Sequence, residues 1–242
     1  MDRAVIRATW GVCLLVLGLA ATAHAASIVG SFHDLAHIDD VHTTPPEGWG
    51  RTFDDYNEVC VYCHTPHHAD QTQGALWNRP AQTTTYTVYS SPTLDSAPGQ
   101  PGRASKLCLS CHDGSIAVDT VLNPPPYVAS AGVHGTMIYP RQQPLVDCGS
   151  CHQPAFATWF GDFSPTYFNN SLEAEHPVGI TYNPSAPDLV PLPAGGKFPN
   201  GVRVIDGKVE CLSCHNPHDP AIRPFLVTSN AGSALCYTCH KK

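Results

Sequence analysis

Charge is scarce in this chain. Charged residues make up 14% of its 242 positions, and 13 Lys and Arg face 20 Asp and Glu, for a net charge of −7. That balance excludes the basic surface that nucleic-acid binding needs. Methionine is nearly absent, with two residues, so beyond the initiator only Met137 could serve as a thioether ligand. Long apolar runs are missing too. The longest, Trp10 to Ala23, has 14 residues, short of the about 20 that cross a bilayer. There is no glycine-rich phosphate loop and no recognisable hydrolase triad.

What is plentiful is proline and glycine, 23 and 19 residues, together more than all charged residues. Proline at this level discourages long helices and central strands. A chain so rich in turn formers struggles to bury a sufficient core by itself. The first 25 residues have the three-part layout of a secretory signal peptide: Asp2, Arg3 and Arg7, then the apolar run, then Ala23-His24-Ala25 as a small-x-small cleavage site. The expectation is cleavage there, with Cys13 leaving with the leader. The mature chain is then 26–242, secreted across the inner membrane to the periplasm or outer surface, with no stable span.

Cysteine (11) and histidine (14) are the other excess. Without Cys13, ten cysteines fall into five Cys-x-x-Cys pairs. These are Cys60 with Cys63, Cys108 with Cys111, Cys148 with Cys151, Cys211 with Cys214, and Cys236 with Cys239. Each pair is followed at once by histidine: His64, His112, His152, His215 and His240. With 14 histidines in 242 residues, a chance histidine after all five is on the order of one in a million, before any motif argument. Disulfides would use the cysteines and leave the histidines unexplained. Structural zinc takes two Cys/His pairs per ion, and five do not divide. Cys-x-x-Cys-His is the signature of c-type haem attachment. Two thiols three residues apart on one helical turn meet the two vinyl groups of one haem, and the adjacent imidazole lies under the iron. The cofactor expected is therefore five covalent haems c. At about 43 mature residues per haem, little protein remains for an independent core. The fold class expected is mostly irregular, with short α-helices and a small β-hairpin wrapped around a haem core.

Eight further histidines are available to the other faces of the irons: His33, His37, His42, His67, His68, His134, His176 and His218. Against one methionine, that supply makes bis-His ligation the default and a low-potential carrier the consequence. A reductase acting on nitrite or hydroxylamine is the alternative. It needs an open iron site, commonly with Lys in place of the motif histidine, and no Cys-x-x-Cys-Lys occurs here. A conductive filament subunit is a third reading; it differs in assembly rather than chemistry.

The chain repeats internally. Cys60-Val-Tyr-Cys-His-Thr-Pro-His67 parallels Cys211-Leu-Ser-Cys-His-Asn-Pro-His218, and each leads to a motif headed by Ser-x-Leu (Ser105-Lys-Leu, Ser233-Ala-Leu). This gives haem pairs at 60–112 and 211–240, with an inserted single-haem segment at 123–170. Ser105 and Ser233 are expected as helix N-caps. Asp206-Gly207 is expected as a two-residue hairpin turn leading into Cys211, and Thr83 to Tyr89 as extended chain. Residues 91–102 and 183–200 read as loops.

From about Ser31 to the C-terminus, these units resemble the doubled-CXXCH family of multihaem cytochromes. Its further marks are Gly30-Ser31-Phe32-His33-Asp34-Leu35, Leu76-Trp77-Asn78 and His176-Pro177-Val178-Gly179. The relatives are periplasmic or outer-surface cytochromes of metal-reducing bacteria, some of which stack into filaments. The ligand supply favours an electron carrier over the reductase, with other redox proteins, cytochromes among them, as expected partners and a possible homo-oligomer or filament. The resemblance implies that His33, His67, His176 and His218 are distal ligands, His67 and His218 each to a neighbouring haem. The Cys148 motif departs from the four-haem pattern. His134, 14 residues before Cys148, is its expected distal ligand, with Met137 the rival. His37, His42 and His68 have no assigned role.

Overall fold

The computed structural model describes residues 27–36, 56–96, 98–116, 118–126 and 168–241. The leader and most of the 123–170 insertion lie outside the described residues. So do the motif residues Cys148, Cys151 and His152, and with them His134, Met137, His37 and His42.

Regular structure is thin, as the proline and glycine content dictates. In chain order come strand β1 (Thr87–Val88), helix α1 (Arg103–His112), strand β2 (Ser171–Leu172), helix α2 (Cys211–Cys214), a 3-10 turn (Ala231–Ser233) and helix α3 (Ala234–Tyr237). The strands pair in parallel, Thr87 with Ser171 and Val88 with Leu172. The extended segment expected at 83–89 is thus strand only at its end. No helix among the described residues is long and apolar enough to cross a membrane.

Helix α1, at 10 residues the longest among the described residues, is built of good helix formers, Arg, Ala, Lys and Leu. It buries Ser105, Leu109 and Ser110. It ends because Asp113 is the C-cap and Gly114 turns left-handed, at φ 70°, the conformation that glycine adopts without a steric cost. The expected cap is corrected. Gly102 is the N-cap of α1 and Ser105 lies inside the first turn. Ser233 does occupy the N-cap of α3, but its hydroxyl makes no cap bond.

The hairpin turn is where the Asp-Gly pair predicts it. Asp206 and Gly207 both have positive φ, 51° and 76°, and Ile205 and Lys208 exchange backbone hydrogen bonds at 2.9 Å each. This is the geometry that a two-residue turn with Asp-Gly supplies. Its arms are short and pair with other chain: Val209 N–H donates to Ile180 O at 2.9 Å, and Val204 N–H to Gly196 O at 2.7 Å.

Among the described residues the apolar core is split into three small clusters, each beside a motif. Ala36, Tyr56, Val61 and Tyr62 pack against Cys63. Tyr182, Ala186, Leu189, Phe198 and Val202 pack against Leu235 and Cys239. Tyr86 and Leu172 pack with Leu109 of α1. Between them run buried polar ties. Arg79, fully buried, donates to Ser110 O at 3.0 Å, Ser110 Oγ at 3.2 Å and Val118 O at 2.6 Å. Asn78 holds Val61 O at 2.8 Å and accepts from Asn123 N–H at 2.9 Å. Buried polar groups satisfied in this way fix loops that have little apolar surface of their own.

Candidate haem-binding sites

Four of the five motifs lie in the described residues, and each is one helical turn. In three of them the histidine N–H donates to the carbonyl of the first cysteine: His64 to Cys60 at 2.8 Å, His215 to Cys211 at 3.0 Å and His240 to Cys236 at 3.0 Å. The fourth is the C-terminal end of α1, where Cys108, Cys111 and His112 fall on consecutive turns of one helix and all three are half-buried. A single turn puts residues three and four apart on one face, so both thiols and the imidazole project together. The thiols of Cys60, Cys63, Cys108, Cys111, Cys211, Cys214, Cys236 and Cys239 are all free of disulfides. The expected attachment cysteines of the fifth haem, Cys148 and Cys151, fall outside the described residues.

Behind the motifs at Cys60 and Cys211 the chain returns in the same way. His64 Nδ1 meets Ala75 O at 2.6 Å, and His215 Nδ1 meets Pro224 O at 2.9 Å. Thr65 N–H donates to Leu76 O and Asn216 N–H to Phe225 O; Asn78 N–H donates to Cys63 O and Val227 N–H to Cys214 O. The repeat therefore extends well past His67 and His218. A carbonyl on Nδ1 accepts that nitrogen's proton and leaves Nε2 to bind metal, the arrangement that orients a metal-ligating histidine. A cavity of about 310 Å³ opens beside Cys60 and His64, walled by Val61, Leu76, Pro124 and Pro125. Leu76 is held there at φ 53° with an exposed apolar side chain.

The expected distal histidines come to motif histidines in three cases. His64 and His218 have ring centres 5.9 Å apart, His33 and His112 6.2 Å, and His176 and His240 6.4 Å. Two imidazoles sharing one metal ion, each at an ordinary metal–nitrogen distance of about 2 Å, have ring centres about 6 Å apart. The three separations match that distance. His33 is steadied by Phe225, stacked at 4.4 Å, and by Pro217 O at 3.3 Å from Nδ1. Burial pushes the pKa values of His33 and His176 down, which favours the neutral imidazole that a metal requires. His67 is exposed, and among the described residues it makes no ring contact of this kind. His68 is exposed at φ 57°. Among the described residues no group of three or more His, Cys, Asp or Glu is gathered to hold a bare metal ion.

Cys60 and Cys236 are exposed, whereas Cys63, Cys214 and Cys239 are sheltered from water. Burial raises the Cys63 thiol to about 12 and the Cys239 thiol to about 11, and it raises Cys214 as well. The neighbouring Cys111 thiol adds to the upward push on Cys63, so the second cysteines of the first two motifs lie close together. Cys108 is raised by a hydrogen bond to the Cys211 thiol, which is lowered by the same contact. The motifs at Cys108 and Cys211 therefore touch through their first cysteines.

Sequence reasoning missed Glu210, Phe225 and the carbonyls of Ala75 and Pro224. The carbonyls are backbone groups and carry no residue signal. Glu210 stands out in the sequence only as the residue before Cys211.

No curated protein matches the chain. Residues 204–242 match the family model of the doubled CXXCH motif. With that match on the C-terminal motif pair, and one-turn geometry at each described motif, the chain bears the doubled CXXCH motif, whose units indicate covalently bound haem c, consistent with a c-type cytochrome of that family.

Proposed function

We propose that this protein is a secreted pentahaem electron carrier with bis-His haems, working in a respiratory or extracellular electron-transfer chain with other redox proteins. The observation that carries the reading is the set of three histidine pairs with ring centres 5.9–6.4 Å apart. His64 and His218 would hold the iron of the haem on Cys60 and Cys63. His112 and His33 would hold that of the haem on Cys108 and Cys111, and His240 and His176 that of the haem on Cys236 and Cys239. His215 takes His67 by the symmetry of the repeat: His218 reaches back to the Cys60 motif, so His67 reaches forward to the Cys211 motif. His152 with His134 would serve the fifth haem, on Cys148 and Cys151.

Haem supplies an iron that cycles between ferric and ferrous. The chain's own residues do the rest. The thiols fix each porphyrin edge, the paired imidazoles leave no open position, and Ala75 O and Pro224 O keep the proximal rings in register. Crossing ligands between repeats binds each half of the chain to the other's cofactor. Secretion follows from the leader at 1–25, with final location in the periplasm or at the outer surface.

Absorption and EPR spectra of the ferric protein test the reading. Low-spin signals from every haem are expected. A high-spin signal from a fully occupied haem would instead mark an open site and favour a reductase.

A further inference from the structure

Helices α1 and α2 carry the motifs at Cys108 and Cys211, one from each half of the repeat. Their N-terminal ends meet at a single carboxylate. Glu210, 3% exposed, accepts the Gly102 N–H at 3.0 Å on Oε1 and 3.2 Å on Oε2. It also accepts the Ser105 hydroxyl. At its own helix it forms a capping box, accepting the Ser213 N–H while the Ser213 hydroxyl accepts the Glu210 N–H at 2.9 Å. Ser105 Oγ in turn accepts the Cys211 N–H at 2.9 Å. One side chain thus ties the N-terminal ends of two helices, bonding residues 105 positions apart in sequence, where each helix end concentrates unpaired N–H groups.

The consequence is positional. Cys108 follows Ser105 by one turn of α1, and Cys211 is bonded to Ser105 directly. On the reading that both motifs carry haem, we infer that Glu210 is the positioning residue that sets the separation of the haem on Cys108 and Cys111 from the haem on Cys211 and Cys214, the junction across which electrons pass between the two halves. The carboxylate's bonds go to Gly102, Ser105 and Ser213, so its effect is on distance and orientation between cofactors. Without it, the Gly102 N–H, the Ser105 hydroxyl and the Ser213 N–H lose their shared acceptor, and of these ties only the bond from the Cys211 N–H to Ser105 Oγ still joins the two helix ends.

Two substitutions test this in the haem-loaded full-length protein. Glu210→Ala removes the carboxylate. Gly102→Ala leaves it in place but adds a Cβ that collides with Glu210 Oε1; the Gly102 backbone, at φ −73° and ψ 177°, accepts alanine without strain. Intact mass counts the haems, absorption reports their ligation, and Soret circular dichroism reads the exciton couplet between neighbouring haems. The expected result is an unchanged haem number and low-spin spectrum with a reduced or inverted couplet in both variants, and slower intramolecular electron transfer after flash reduction. If both variants load fully and keep the wild-type couplet and rate, the inference is overturned. If Glu210→Ala fails to load, Gly102→Ala decides alone by the same criterion. A wild-type protein without covalent haem would instead overturn the functional reading on which the inference rests.

Discussion

Replacing Gly179 by alanine should be among the most damaging single-atom additions to the molecule. Gly179 closes the His176-Pro177-Val178-Gly179 segment at φ +80°. An L-residue in that left-handed region costs about 1–2 kcal/mol. A Cβ there would also stand 2.6 Å from the carbonyl oxygens of both Gly99 and Gln100. Those are backbone atoms that cannot swing aside, and forced overpacking costs about 1–3 kcal/mol more. The total, about 2–5 kcal/mol, is a large part of a typical domain's stability. Gly195 supplies the control: it has φ +82° and nothing within 4 Å of its added Cβ, so Gly195→Ala should lose only the conformational part. Thermal melts of the two haem-loaded variants should differ by several degrees, at about 2–4 °C per kcal/mol for a chain of this size. Because His176 lies three residues away, Gly179→Ala should also disturb the ligation of one haem, seen as a high-spin fraction. Melts that coincide would refute the packing argument.

His218→Ala should turn one haem high-spin while every thioether bond survives in the mass spectrum. The haem affected should be that on Cys60 and Cys63, not that of its own motif; proteolytic mapping of the perturbed haem distinguishes them. Tyr182 donates to Val190 O at 2.6 Å, and burial pushes its hydroxyl up to about 12. A raised pKa means its stabilisation is complete below about pH 10, the unfolded value, and is lost as pH rises towards 12. Tyr182→Phe should therefore be less stable at neutral pH yet flatten the fall in melting temperature between those limits; an unchanged slope would contradict the assignment. At the fifth haem, redox titration of His134→Ala and Met137→Leu separates the two candidate ligands. The expected outcome is a perturbed potential in His134→Ala alone, since methionine ligation would raise that potential.

The parts legible in sequence were those carried by side-chain chemistry at fixed spacing. The described motif turns follow from Cys-x-x-Cys-His, and the Asp206-Gly207 turn from the two positive φ values it needs, 51° and 76°. The ring of His218 lies 5.9 Å from that of His64; that the two share an iron is the proposal made above, and the resemblance is what pointed to His218. The return arms were not legible, because Ala75-Leu76-Trp77-Asn78 and Pro224-Phe225-Leu226-Val227 match at no equivalent position while making equivalent backbone bonds. The cap of α1 departs from the expectation at Ser105 for a related reason. The acceptor comes from Glu210, 105 positions on, and no local rule reaches that far. The pairing of β1 with β2 likewise joins Thr87 to Ser171, a contact of two residues with too little pattern to announce itself.

The central claim is that all five motifs are loaded and that the haems hold the chain together. Intact mass of the mature protein after acid and organic extraction tests it most directly, since non-covalent haem is stripped and thioether-bound haem is not. The account predicts a mass exceeding that of the polypeptide 26–242 by five haems. An excess of four or fewer would contradict it for at least one motif.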